Sequence, residues 1–114
     1  MNSAIVYHWR NAFPGRELTS VELKIQTDAM MTKAVEDGKI ADFAWYLSPG
    51  SDMSYLVVRG EMEKLQAMTA EPETLLHSMK ISMVNEEFGW SFCVTGPMVD
   101  AATDMYVAAA SSMP

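Results

Sequence analysis

His8 is the first residue of this chain whose type and setting could do chemistry. It lies in the run Ala4-Ile5-Val6-Tyr7-His8-Trp9-Arg10. If that run is a strand, Arg10, two positions on, shares its face. A buried imidazole beside a charge can titrate in the range useful for proton transfer. His8 is therefore the candidate catalytic residue, as acid, base or hydrogen-bond donor; the alternative is a structural histidine of the core or an interface. Tyr7, Trp9, Trp45, Tyr46, Tyr55 and Trp90 sit on strand-like segments. They would either wall an apolar ligand pocket or fill a core or dimer seam. Arg10 and Arg59, near strand ends, would meet an anionic group of a ligand or pair with Asp42 or Glu61. Cys93 has no evident electropositive partner and reads as structural. No phosphate loop, nucleophile elbow or zinc motif is present, and the carboxylates lack metal-ligand spacing.

Composition narrows the function classes. With 114 residues the expectation is one domain over 1–114. Half of the residues (49%) are hydrophobic and 20% charged, a globular balance. The net charge of -7, with the eight basic residues scattered, argues against nucleic acid. No apolar run approaches the about 20 residues of a membrane span. The single cysteine and the absence of a basic-then-apolar start lead us to expect a cytoplasmic protein. Eleven methionines without regular spacing suit core or interface filling.

The elements that must position these residues follow from periodicity. A strand over 4–10 turns Ile5, Tyr7 and Trp9 one way and Val6, His8 and Arg10 the other. Pro14-Gly15 marks a turn before a helix over 17–37, with Leu18, Val21, Ile25 and Ala29 as its stripe and Gly38 as its stop. Strands over 40–48 and 53–60 form a hairpin across Ser48-Pro49-Gly50-Ser51-Asp52. A helix broken at Pro72 follows. Its first piece turns Met62, Leu65 and Met68 inward, and its second, to about residue 80, turns Leu75, Leu76 and Met79 inward. A fourth strand over 84–95 carries Phe88, Trp90, Phe92 and Val94 on one face. A terminal helix runs from Val99 or Asp100 to Ala110, with Asp100 as N-cap.

This order implies an α+β, ferredoxin-like βαββαβ sheet, antiparallel, with the third strand between the first and second and the fourth outside the first. The main helices cover one sheet face. Large apolar groups on the other face need a cover, and a second copy packed sheet to sheet is the simplest. The alternative cover is the C-terminal helix in a monomer.

The pattern Tyr7-His8-Trp9-Arg10, Phe13-Pro14-Gly15-Arg16-Glu17, Leu56-Val57-Val58-Arg59-Gly60-Glu61 and Ala70-Glu71-Pro72-Glu73 resembles the dimeric α/β-barrel superfamily. That group includes antibiotic-biosynthesis monooxygenase-type, haem-degrading and stress-responsive barrel proteins. The resemblance covers roughly residues 4–96 and implies a homodimer that binds a small apolar or aromatic molecule or acts as a cofactor-independent monooxygenase. An alternative is a non-enzymatic interaction protein. In haem-degrading members a histidine on the broken helix ligates iron, which the resemblance would carry to His77. Met68 and strand one do not complete such a site, so no cofactor is expected.

Overall fold

The computed structural model describes residues 2–48 and 53–114; the centre of the expected turn, 49–52, lies outside them. The elements run β1 (Ser3–Trp9), α1 (Glu17–Glu36), β2 (Asp42–Tyr46), β3 (Ser54–Gly60), α2 (Met62–Ala70), α3 (Pro72–Val84), β4 (Gly89–Val94) and α4 (Pro97–Ser111). The sheet order is β2-β3-β1-β4, and every neighbouring pair is antiparallel. This is the ferredoxin-like arrangement expected from the order of elements.

One sheet face carries the core. Ile5 and Tyr7 of β1 and Leu56 and Val58 of β3 meet Met31 and Ala34 of α1 and Leu65 and Met68 of α2. Register explains the sidedness: Ile5 opposes Val58 and Tyr7 opposes Leu56, and opposed side chains share a face. The other face bears Val6 and His8 of β1, Tyr55 and Val57 of β3, Ala44 and Tyr46 of β2, and Ser91 and Cys93 of β4, by the same alternation. Tyr46 and Tyr55 are exposed there.

Four expectations are corrected. First, α1 does not bury Leu18, Val21 and Ile25, which are exposed; it buries Leu23, Thr27, Met31 and Ala34. Those residues also recur at helical steps of four, four and three, but Thr27 interrupts their apolar character. Second, α3 turns Thr74 and Ser78 inward and leaves Leu75, Leu76 and Met79 exposed. Third, α3 continues to Val84, and β4 begins only at Gly89. Residues 84–86 are instead held by the loop after β1: Phe13 N–H donates to the Val84 carbonyl, Glu86 N–H to that of Asn11, and Arg10 N–H to that of Glu86. Fourth, α4 starts at Pro97 after Gly96, which has a left-handed φ of 56°. Proline at the first helical position loses no hydrogen bond, so Asp100 falls in the first turn rather than at the cap.

None of the fifteen residues of α4 is buried, so the terminal helix does not cover the open sheet face. The radius of gyration is 16.2 Å, against about 13 Å for a compact chain of this length. Among the described residues, no helix is long and apolar enough to cross a membrane.

Candidate functional site

A cleft of about 760 Å³, its open mouth included, lies between the core face of the sheet and helices α1 and α3. Tyr7, Trp9, Trp45 and Leu56 make its floor, and Phe88 closes one end. The Trp9 and Trp45 rings meet edge to face with centroids 5.9 Å apart, and Tyr7 stacks on Phe88 at 6.2 Å. Such pairs fix flat apolar walls. Burial pushes the Tyr7 hydroxyl pKa up to about 12, so this group stays protonated at neutral pH.

The helices contribute the polar groups. Thr27 of α1 and His77 of α3 face one another, with Thr27 Oγ1 2.7 Å from His77 Nε2. Thr27 Oγ1 also lies 2.7 Å from the Leu23 carbonyl oxygen. A carbonyl only accepts, and a threonine hydroxyl has one proton to give. The Thr27 proton therefore goes to Leu23, and His77 Nε2–H donates to Thr27. This fixes the His77 tautomer: Nε2 carries the proton and Nδ1 keeps its lone pair. Burial lowers the His77 pKa from its ordinary value; Lys80 adds to the shift and Glu73 opposes it. The imidazole is thus a neutral base at pH 7. Nearby, the Ser20 hydroxyl donates to Asn85 Oδ1 at 2.7 Å. At the mouth, Lys24 Nζ sits 4.7 Å from the centre of the Trp45 ring, and Trp45 Nε1–H donates to Asp28 at 2.9 Å.

The residues singled out from the sequence divide between the two sheet faces. Tyr7, Trp9, Trp45 and His77 come together in the cleft. Trp90 stands beside it, tilted against Tyr7 at 6.0 Å. His8, Tyr46 and Tyr55 lie on the opposite face. The His8 ring packs against Gly89, where an added Cβ would come within 3.0 Å of Nε2. His8 Nδ1 is buried with no hydrogen-bond partner among the described residues. Both arginines are engaged by carboxylates. Arg59 pairs with Asp42 on the open face, and this hydrogen bond holds the Asp42 carboxyl below its usual range. Arg10 Nε pairs with Glu87 at 3.1 Å, rather than with Asp42 or Glu61. Cys93 is free.

Thr27, Thr74, Ser78, Ser20, Asn85 and Lys24 went unrecognised in the sequence. A signal was present. Thr74, His77 and Ser78 recur at three- and four-residue steps, as do Ser20, Lys24 and Thr27, so each helix carries a polar stripe beside an apolar one. Among the described residues, no group of three His, Cys, Asp or Glu side chains could hold a metal. A haem on His77 does not fit this arrangement, because Nε2 is already spent on Thr27.

Solved structures share this architecture. A cofactor-independent oxygenase, SnoaB from Streptomyces nogalater, superposes with a TM-score of 0.63 over 84% of this chain and 95% of its own, at 10% identity. The ferredoxin-like fold is shared. Rv0793 from Mycobacterium tuberculosis gives 0.64 over 85% and 95% at 15% identity. A dimeric ferredoxin-like protein of unknown function from Thermobifida fusca gives 0.58 over 82% and 91% at 11% identity. Proteins named as antibiotic biosynthesis monooxygenases are among the other matches. No protein-family model and no curated protein matches the chain.

Proposed function

We propose that the chain is a cofactor-independent oxygenase of small hydroxyaromatic molecules, working as a homodimer, with His77 as the base. One observation carries this reading: the His77 imidazole, its Nε2 held by Thr27 and its Nδ1 without a hydrogen-bond partner among the described residues, lines an aromatic-walled cleft. The oxygenase name of SnoaB supports it. A phenolic O–H gives its proton to His77 Nδ1. The resulting anion is electron-rich enough to pass one electron to O2, and the two radicals combine to form a C–O bond. Protonation of that hydroperoxide and loss of water leave a quinone. The balance is one hydroxyarene plus one O2 giving one quinone and one water. Thr27 holds the ring in orientation throughout, and the floor aromatics exclude water.

The test is oxygen uptake by the chelator-treated protein with a panel of naphthols. Uptake above the buffer rate, with one ¹⁸O atom from labelled O2 in the quinone, is the expected result. Naphthol binding without uptake by any member of the panel would refute the oxygenase. The existence of a cleft already weighs against the alternative of a filled, purely structural barrel.

The dimer rests on the open sheet face. Tyr46 and Tyr55 stand exposed on it, and no residue of α4 is buried against it. The T. fusca match is described as dimeric. Sedimentation velocity at micromolar concentration is expected to return twice 12.7 kDa; a particle of 12.7 kDa would remove the dimer.

A further inference from the structure

We infer that the cleft selects aromatic molecules carrying a carboxylate or similar anionic group, and that Lys24 is the residue that reads it. This deepens the proposal above and rests on its reading of the cleft as an aromatic-binding site.

The charge of the lining is the reverse of the charge of the chain. The sequence has 15 Asp and Glu against 8 Lys and Arg. Among the described residues, the cleft is lined by no carboxylate and by one cation, Lys24. Lys24 makes no ion pair among the described residues. Its Nζ is held instead over the face of Trp45, where the ring quadrupole attracts it weakly. Asp28, one turn further along α1, accepts a hydrogen bond from the Trp45 indole N–H.

Trp45 therefore serves two purposes. Its face is part of the apolar floor and steadies the ammonium, and its N–H donates to Asp28. A flat ligand in the cleft with its outer end at Trp45 would bring a substituent there to Lys24. Its inner end would reach His77 and Thr27, between α1 and α3. An anionic substituent gains a charge-assisted hydrogen bond from Lys24; a cationic one meets like charge there.

Three probes with one ring system separate the terms: 2-naphthoate, naphthalene and 2-naphthylmethylammonium. Their binding is read by quenching of tryptophan fluorescence at low salt, since two of the three tryptophans line the cleft. Naphthoate is expected to bind about tenfold tighter than the ammonium probe, the scale of one charge-assisted hydrogen bond. Lys24→Gln is expected to abolish that preference, and Lys24→Arg to keep it. Equal or inverted affinities in the natural protein would overturn the inference. So would an unaltered preference in Lys24→Gln, or no quenching by any probe. Naphthoate selectivity without oxygen uptake would leave this inference standing and remove the oxygenase; uptake without selectivity would do the opposite.

Discussion

Replacing Leu65 with alanine is expected to lower the unfolding free energy by about 2–5 kcal/mol, the range for a leucine deleted from a core that cannot collapse around the gap. Leu65 is fully buried, and it belongs to the cluster formed by Ile5, Val58, Met31 and Met68. Its side chain rests on Gly60, where an added Cβ would lie 3.1 Å from Leu65 Cδ2 and 3.5 Å from the Ile40 Cα. Backbone on one side and core on the other leave little room for rearrangement. Leu65 and Met68 are also the buried residues of α2, and a nine-residue helix is not stable without tertiary packing. The matched control is Leu18→Ala. Leu18 is 87% exposed, so its loss should stay within about 0.5 kcal/mol. Urea titration of the two variants measures the difference. Similar midpoints for both would contradict the packing described.

His77→Ala is expected to cut the rate of naphthol oxidation by about 10²–10⁴-fold, the usual worth of a positioned general base. Naphthol affinity should change much less, because the aromatic floor remains. The pH dependence carries its own sign. Burial disfavours the imidazolium, so the folded pKa lies below 6.5. The base is therefore ready at neutral pH, and the rate should hold steady on acidification until the pH is below 6.5. Stability follows the same group. The unfolded chain takes up the proton first, so this contribution is present above 6.5, diminishes as the pH falls from there, and is fully lost below the folded value. Titration of the imidazole by NMR gives the midpoint directly, and its ¹⁵N shifts report the tautomer. A midpoint at or above 6.5, or a protonated Nδ1 in the neutral ring, would contradict the proton assignment at Thr27.

The sheet was legible in the sequence because alternation is a two-fold signal with little ambiguity. Ile5, Tyr7, Leu56 and Val58 declared their face, and the connection rules then left one strand order. The helices were harder. Leu18, Val21 and Ile25 make as good a stripe as Leu23, Met31 and Ala34, and hydropathy favours the set without a threonine. The buried stripe won because Thr27 loses nothing on burial: its hydroxyl is satisfied by Leu23 and His77. The same cause hid the site. His8 and His77 both stand out by residue type, but the Thr27 partner of His77 lies fifty positions away and no local pattern announces it. The boundary at Gly89 was missed because Asn85 and Glu86 are committed to the loop after β1, a pairing that no local pattern announces.

The terminal helix has a consequence for how a lone copy would behave. It is about 22 Å long at the ordinary rise per residue, and none of its residues is buried. Methionine and tyrosine side chains along it, among them Met105 and Tyr106, stand in water. Little besides its own backbone ladder would resist fraying there. On heating, that arm should melt first and on its own.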